Sequence, residues 1–170
     1  MRGVLGSLLL VSLLAAALFA EWGSDSGPVR LGEAGGPRSA DALVTRVVDG
    51  DTVEVRIGGD RDEVRYIGID TPETVKPGEP VQCFGHRASA ANRRLVEGRR
   101  VRLVFDRERR DVYGRLLAYV YVRGRFVNAE LVRRGFARTL TIAPNVAHAG
   151  LFHRLARFAG RQGRGLWRAC

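Results

Sequence analysis

Three separated segments of the chain hold the residues whose types and spacing could do chemistry. They are Val48-Asp49-Gly50-Asp51-Thr52, the stretch from Arg65 through Asp70-Thr71-Pro72-Glu73, and Asp111-Val112-Tyr113-Gly114-Arg115. Carboxylate and carbonyl oxygens are hard ligands that suit calcium or magnesium, and the planar fork of arginine can hold two phosphate oxygens. Together these residue types would support metal-assisted chemistry on a phosphate group.

The first two segments are expected to meet because a hairpin joins them. If its turn centres near Gly59-Asp60, antiparallel pairing puts Asp51 beside Ile69 and Asp70. Two carboxylates held that close repel each other unless a cation or a proton lies between them. Either aspartate alone is more typical of a turn, so the hypothesis of a metal site depends on this predicted pairing.

The position of Arg65 raises a separate requirement. Arg65 and Asp70 are five residues apart, so strict strand alternation puts their side chains on opposite faces of a sheet. A bulge or a strong twist near Gly68 is needed to bring them together. We therefore predict an irregularity at that glycine.

Five short strands and three helices are predicted to position these residues. β-branched and alternating residues, separated by turn residues, predict strands over 42–48, 52–57, 63–69, 100–105 and 116–122. Apolar spacing predicts helices over 83–97, 127–134 and 146–160. Asn128 is a plausible N-cap of the second helix, and Leu151, Leu155 and Phe158 share one face of the third. This order indicates a mainly β protein with helices (α+β), and a five-stranded OB-type barrel fits it best.

The charge of the chain favours a polyanionic partner. The apolar and charged fractions are those of an ordinary globular protein, but the formal net charge is +10 and Lys76 is the only lysine. Residues 1–41 sum to −1, so residues 42–170 hold about +11. Neutralising phosphates releases counterions and favours binding. An arginine-rich composition that serves only solubility explains the charge equally well.

The first residues of the chain are typical of a targeting segment and not of a folded domain. Arg2 precedes an apolar run from Val4 to Ala20, and Ala15-Ala16-Ala17 offers small residues for cleavage. Residues 1–20 are therefore predicted to be a signal peptide or, as the less favoured alternative, a membrane anchor. Both predict export: secreted, periplasmic or anchored facing outward. Residues 21–41 are predicted to form a flexible linker, and residues 42–170 the folded domain.

Two cysteines fit an oxidising compartment. Cys83 and Cys170 lie outside any spacing typical of zinc ligands. A disulfide between them would pin the C-terminus to the domain and contribute roughly 4–5 kcal/mol if unstrained. Two free thiols are the alternative.

Four blocks of the sequence resemble one known family. Val47 to Thr52, Arg65 to Glu73 and Tyr113 to Tyr119 look like the three signature blocks of the staphylococcal-nuclease-like (thermonuclease) family, and Val127 to Gly135 resembles its second helix. The resemblance runs in order from about Val44 to Trp167. It implies an OB-fold barrel and a calcium-dependent phosphodiesterase that acts on DNA and RNA and leaves a 3′-phosphate and a 5′-hydroxyl.

The resemblance also implies roles for individual residues, carried over by motif. The calcium ligands would be Asp51, Asp70 and the backbone carbonyl of Thr71. Glu73 would activate or orient the attacking water. The remaining matches are the two arginines that would grip the scissile phosphate and one aromatic residue that would bind substrate, namely Arg65, Arg115 and Tyr113.

The sequence departs from the family pattern around the nucleotide. Val112 stands where a lysine is expected, and Thr139 to Pro144 contains no tyrosine to stack on a base. Base preference does not follow from the resemblance for that reason.

A non-catalytic nucleic-acid-binding OB module is the alternative function. Such a module needs only cations and stacking aromatics. It gains nothing from Asp51, Asp70 and Glu73 at the place where phosphate docks, because like charges repel. The carboxylates therefore favour an enzyme, and its single domain favours a monomer.

Overall fold

Eight strands and four helices make up the part of the chain that the structure, a computed structural model, describes: residues 38–74, 78 and 80–170. The strands are β1 Ser39–Val47, β2 Thr52–Ile57, β3 Asp60–Tyr66, β4 Ile69–Asp70, β5 Arg100–Val104, β6 Leu116–Val122, β7 Arg125–Phe126 and β8 Arg138–Thr139. The helices are α1 Gly85–Val96, α2 Val127–Arg133, α3 Ala149–Arg161 and α4 Leu166–Ala169.

Five of the strands close into a barrel. The order is β3-β2-β1-β5-β6, with antiparallel neighbours throughout. The barrel closes where β3 pairs in parallel with β6, with Val64 opposite Leu116 and Tyr66 opposite Ala118. The predicted five-stranded OB-type barrel with packed helices is therefore confirmed. The one-turn helix α4 was not predicted.

The interior of the barrel is filled by the inward residues of each strand. Strand alternation places every second side chain inside, and β-branched residues suit this pleated, crowded surface. The fully buried members include Val44, Val53, Val55, Val64, Leu103 and Val120.

The register of the first hairpin differs from the prediction. Thr52 pairs with Arg65 and Ile57 with Asp60, so each residue of β2 lies opposite a partner three positions earlier than expected. The turn is made by Gly58 and Gly59, whose φ angles of 60° and 107° allow a two-residue connection. Asp51 consequently lies beside Tyr66, whose N–H donates to the Asp51 carbonyl at 2.9 Å, and not beside Ile69.

The predicted role of Asn128 is wrong. The N-cap position of α2 is Phe126, and Asn128 is fully buried. Its side chain accepts a hydrogen bond from the Val120 N–H and donates one to the Ile67 carbonyl, both at 2.9 Å. Asn128 therefore ties α2 to β6 and to the turn that follows β3, because a buried amide must be satisfied on both of its ends.

The apolar face of α3 is rotated from the predicted one. Phe152 and Ala159 are its buried residues, whereas Leu151, Leu155 and Phe158 are only half-buried. The ring of Phe152 faces Gly68, where an added Cβ would lie 2.4 Å from it. This close contact with Gly68 places the helix face of Phe152 and Ala159 against the barrel.

The first strand begins before the predicted start of the folded domain. β1 begins at Ser39, which pairs with Val104, so the first strand starts three residues before the predicted domain boundary at residue 42. The predicted signal peptide or anchor, residues 1–20, lies outside the described residues. Within the described residues, no helix is long and apolar enough to cross a membrane.

Candidate active site

Asp51 is held in the tight turn that joins β1 to β2. The N–H groups of Val48 and Asp49 both donate to the Thr52 carbonyl, and the Asp51 N–H donates to Asp49 Oδ1 at 3.0 Å. Asp51 is 3% exposed. The turn therefore holds Asp51 in a buried position, with its carboxylate facing Arg65 and Thr71.

Arg65 bridges Asp51 and Asp70. Its Nη1 lies 3.0 Å from Asp51 Oδ2, and its Nη2 lies 3.0 Å from Asp70 Oδ1. Nη1 also donates to the Ile69 carbonyl at 3.0 Å. The two aspartates are therefore brought together, but through a shared guanidinium and not through direct strand pairing.

The predicted irregularity at Gly68 takes the form of a break between strands. β3 ends at Tyr66 and β4 begins at Ile69, and Gly68 between them has a φ of 81°. Such a backbone favours glycine, and Phe152 leaves no room there for a side chain. The break lets Asp70 return toward Arg65 despite their odd spacing.

Thr71 locks the returning chain onto the Asp51 turn. Its N–H donates to Asp51 Oδ2 at 2.7 Å. Its side chain lies so close to Gly50 that an added Cβ on that glycine would be 2.6 Å from Thr71 Oγ1. Asp51, Gly50 and Thr71 therefore form one rigid contact between the first two sequence segments.

Electrostatics make this corner a place for a cation. Burial raises the pKa of Asp51 to about 7, and the neighbouring Asp49 carboxylate adds to the rise, while Arg65 and the Thr71 N–H oppose it. Within the described residues, no group of three or more His, Cys, Asp or Glu side chains is gathered as a metal site. A hard cation here would need carbonyl or water oxygens to complete two carboxylates, which calcium accepts readily.

Arg115 directly precedes β6, the strand that pairs with the β3 strand of Arg65. Its Nε donates to Asp111 Oδ2 at 2.7 Å, and its Nη1 lies 3.9 Å from Glu63 Oε1. Because Arg65 is opposite Leu117 in the parallel pair, the Cα atoms of the two arginines are separated by one strand and two residues, or about 8 Å. Both guanidiniums are thus anchored by carboxylates on one outer face of the barrel.

Tyr113 stands in the open beside Arg115. Its side chain is 81% exposed, and the Arg115 guanidinium lies 5.3 Å from its ring centroid. The neighbouring Val112 is also exposed. The loop that carries them therefore offers an aromatic face to solvent next to the anchored arginine.

The backbone of Glu73 is gripped by Gln82, a residue that sequence reasoning missed. The Glu73 N–H donates to Gln82 Oε1 at 3.1 Å, and the Gln82 N–H donates to the Glu73 carbonyl at 2.9 Å. The Glu73 carboxylate accepts from the Thr74 N–H at 3.1 Å. Gln82 lies in a loop without periodicity, so no sequence pattern signalled this contact.

A disulfide adjoins that grip. Cys83 follows Gln82 directly and is bonded to Cys170, with their Cα atoms 6.0 Å apart. The last residue of the chain is thereby joined to the loop that holds Glu73.

A buried polar network supports the Asp51 turn from below, and it was also missed. The Asn92 side chain donates to the Asp49 carbonyl at 3.1 Å and accepts from the Tyr66 hydroxyl at 3.1 Å. Asn92 is fully buried on α1. A weak signal existed, since Asn92 shares the helix face of Ala88 and Ala91, where a polar residue is unexpected.

Comparison with known proteins gives a consistent result. The family model described as "Staphylococcal nuclease homologue" matches residues 63–169. A thermonuclease of Staphylococcus intermedius is 35% identical over 167 residues, which cover 98% of this chain and 99% of the relative. A thermonuclease of Staphylococcus hyicus is 33% identical over the same shares. The SPbeta prophage-derived endonuclease YokF of Bacillus subtilis is 43% identical over 129 residues, 75% of this chain and 44% of that protein.

Proposed function

Because the chain belongs to the staphylococcal nuclease family and is a phosphodiester-cleaving nuclease, we propose that it cuts DNA and RNA in a calcium-dependent reaction that leaves a 3′-phosphate and a 5′-hydroxyl. The observation that carries this proposal is the position of Arg65. It is fixed between Asp51 and Asp70 and lies one strand from Arg115. A binding module would have no use for carboxylates at this place.

The residues present fit a calcium ion. Asp51 and Asp70 would supply carboxylate oxygens and Thr71 its backbone carbonyl, a donor set of hard oxygens. The convergence of both carboxylates on one cationic group supports this assignment. When bound, calcium would add positive charge at the phosphate and favour ionisation of a water molecule.

The two arginines are assigned to the phosphate. Hydrolysis concentrates negative charge on the equatorial oxygens, and donors that are already oriented stabilise that charge best. Arg115 is oriented by Asp111, and Arg65 by the two aspartates. Because both guanidiniums are already oriented, no ordering cost is added during the reaction. Their contacts therefore lower the activation free energy and do not only strengthen substrate binding.

Glu73 is assigned as the general base. It would take a proton from water as the water oxygen forms a bond to phosphorus. The bond from phosphorus to the 5′ oxygen breaks in the same step, and that oxygen takes a proton from solvent water and leaves as a hydroxyl. Gln82 holds the Glu73 backbone from both sides, which limits the positions of its carboxylate.

Tyr113 is assigned to the substrate. Its exposed ring beside Arg115 can pack against the sugar or base next to the gripped phosphate. Since Leu140 and Ile142 are the exposed apolar residues in the stretch without tyrosines, weak base selectivity is expected.

The proposal includes export and a monomeric state. The apolar run from Val4 to Ala20 supports a signal peptide, and the Cys83–Cys170 disulfide supports an oxidising compartment. The site is assembled from a single chain, which supports a monomer.

The test is a cleavage assay on the full chain. Supercoiled plasmid, single-stranded DNA and RNA are incubated with calcium, with magnesium or with a chelator. Phosphatase release and direct 5′-labelling by a kinase then identify the two ends. Glu73→Gln is compared with Glu54→Gln, which alters a β2 carboxylate that pairs with Arg46.

Cleavage is expected only with calcium, with 3′-phosphate ends, and Glu73→Gln should lower kcat by about 10²–10⁴. Glu54→Gln should cleave normally. Salt-sensitive binding without cleavage in any metal would refute the proposed calcium-dependent reaction.

A further inference from the structure

The positive charge of the chain is concentrated near its C-terminus. Residues 131–170 contain eight arginines and no aspartate or glutamate, so they carry +8 of the net charge of +10. The barrel segments that precede them mix arginines with carboxylates. This asymmetry is not needed for the proposed active site, here called the catalytic corner (Asp51, Arg65, Asp70, Thr71, Glu73 and Arg115). Both of its arginines precede residue 131.

Three of these arginines form one exposed face of α3, here called the arginine ridge: Arg154, Arg157 and Arg161. Their spacing of three and four residues places them on one side of a helix. Phe152 and Ala159 occupy the opposite, buried side. The ridge extends about 10 Å along the helix axis.

Among the described residues, the ridge arginines have no acidic partner. Arg133 at the end of α2 and Arg134 directly after it both pair with Glu130. In the described part of the chain, however, no carboxylate lies within ion-pair distance of a ridge arginine. Like charges at this spacing repel each other and cost stability. An uncompensated cationic face is therefore better explained by an external polyanion than by the fold.

We propose that the arginine ridge is a second nucleic-acid-binding surface, which contacts the phosphate backbone outside the catalytic corner. This rests on the proposed substrate class. The length of the ridge matches about three base-pair steps of 3.4 Å. Its three members are guanidinium groups, which attract phosphates by charge, so the ridge is expected to contact phosphates and not bases.

One polymer can contact both surfaces because the chain connects them closely. α3 packs against β8, and in β8 Arg138 lies directly opposite Asp70 of β4. The ridge therefore extends from the side of the barrel that carries a proposed calcium ligand. It would hold the substrate by charge while the corner cuts it.

The experiment measures binding without cleavage, so it does not depend on the proposed chemistry. The full chain is titrated in a chelator with a 24-base-pair duplex and a 24-nucleotide single strand over a range of salt concentrations. The ridge variant is Arg154→Gln/Arg157→Gln/Arg161→Gln. The matched control removes three exposed arginines of β2, α1 and β7 that likewise have no ion pair among the described residues, as Arg56→Gln/Arg94→Gln/Arg125→Gln.

The ridge variant should bind about tenfold or more weakly at 0.1 M salt, and the slope of log K against log salt should fall by about 2–3. The control should change affinity less than about threefold. Lysine at the same three ridge positions should restore binding, because phosphate attraction needs charge more than fork geometry; this variant also excludes a folding defect.

Equal losses in the ridge and control variants would overturn the proposal, since net charge alone would then explain binding. Unchanged DNA affinity with lost binding to vesicles of anionic lipid would also overturn it and would assign the ridge to a membrane surface. Absence of cleavage with intact ridge binding would refute the proposed reaction and leave this inference standing.

Discussion

Arginine is used in two different ways in the catalytic corner and in the arginine ridge. Arg65 and Arg115 are each held by carboxylates at 3.0 Å or less. The ridge arginines have no such partner among the described residues. Desolvation offsets much of the attraction in the buried Arg65–Asp51 pair, and solvent screens the more exposed pairs, so the pairs of the corner matter mainly because they fix a direction. The charge of the ridge arginines, by contrast, is not offset by a paired carboxylate in the described part of the chain, and no ion pair there fixes the direction of their side chains.

This difference separates two tasks that one residue type can perform. A transition state needs donors in fixed positions, whereas a diffusing polyanion needs a strong, poorly directed field. The carboxylates that orient Arg65 also lower the local positive potential. A nuclease with both regions can obtain precise positioning and long-range attraction without a compromise at either.

Arg65→Lys should break the comparison most severely. Lysine keeps the charge but cannot bridge Asp51 and Asp70 while presenting a planar fork. We expect kcat to fall by about 10³, or about 4 kcal/mol of transition-state stabilisation. Steady-state cleavage of single-stranded DNA measures the loss, with Arg157→Lys on the ridge as the control. A loss under tenfold for Arg65→Lys would mean that charge alone suffices in the corner.

Opening the disulfide should have the second largest effect. Cys170→Ser leaves Cys83 without its bond, and the restored loop entropy of the unfolded chain should lower the free energy of unfolding by about 4–5 kcal/mol. Denaturant titration measures this. Because Cys83 follows Gln82, kcat should also fall while calcium affinity stays constant.

A reductant supplies the control for that variant. Treatment of the full chain with an excess of dithiol, which is oxidised as the disulfide is reduced to two thiols, should reproduce the loss, and Cys83→Ser/Cys170→Ser should not respond to it. A variant with unaltered kcat would show that Gln82 holds Glu73 without help from the C-terminus.

Much of the barrel could be predicted from the sequence because period-two alternation is local. The register of the first hairpin could not. A shift of the turn onto Gly58 and Gly59 moves every partner by three residues, and a run with two glycines and an aspartate supports more than one turn. The proximity of Asp51 and Asp70 was therefore predicted from an incorrect strand register. In the structure it results from the bridge that Arg65 makes between them.

The supporting residues were less predictable than the candidate site itself. Asn128 has the composition signal of an N-cap, but it is buried against Ile67 and Val120. Gln82 and Asn92 act through backbone groups that are distant in sequence. Motifs identify residues that touch substrate, whereas residues that position them depend on tertiary contacts that no local pattern encodes.

The protonation of Asp51 gives a third prediction, on metal-free protein. Its pKa in the folded chain, raised to about 7 by burial, exceeds that of an ordinary carboxyl, so the folded state binds the proton more tightly than the unfolded state does. The free energy of unfolding should therefore fall by about 2–3 kcal/mol as pH rises from 5 to 8. Calcium should oppose this fall, because it binds the ionised form.

Asp51→Asn tests the assignment. Denaturant titrations in a chelator should show a flatter pH dependence for this variant than for the parent, with Asp60→Asn in the exposed turn as the control. A parent profile that is flat from pH 5 to 8 would show that Asp51 is ionised throughout and that Arg65 alone compensates it.

Glu130 gives the smallest and most direct test, because it is the last carboxylate before the acid-free segment and pairs with Arg133 and Arg134. Although desolvation opposes the shift, these two arginines lower its pKa. The stabilisation by Glu130 is therefore present above the ordinary carboxyl pKa and lost as pH falls below it.

Glu130→Gln should cost about 1 kcal/mol of stability at pH 7. It should also raise DNA affinity about twofold at low salt, because it removes a negative charge beside the ridge helix. Lower stability with unchanged affinity would confine the attracting field to α3, whereas a gain in affinity would extend it to α2.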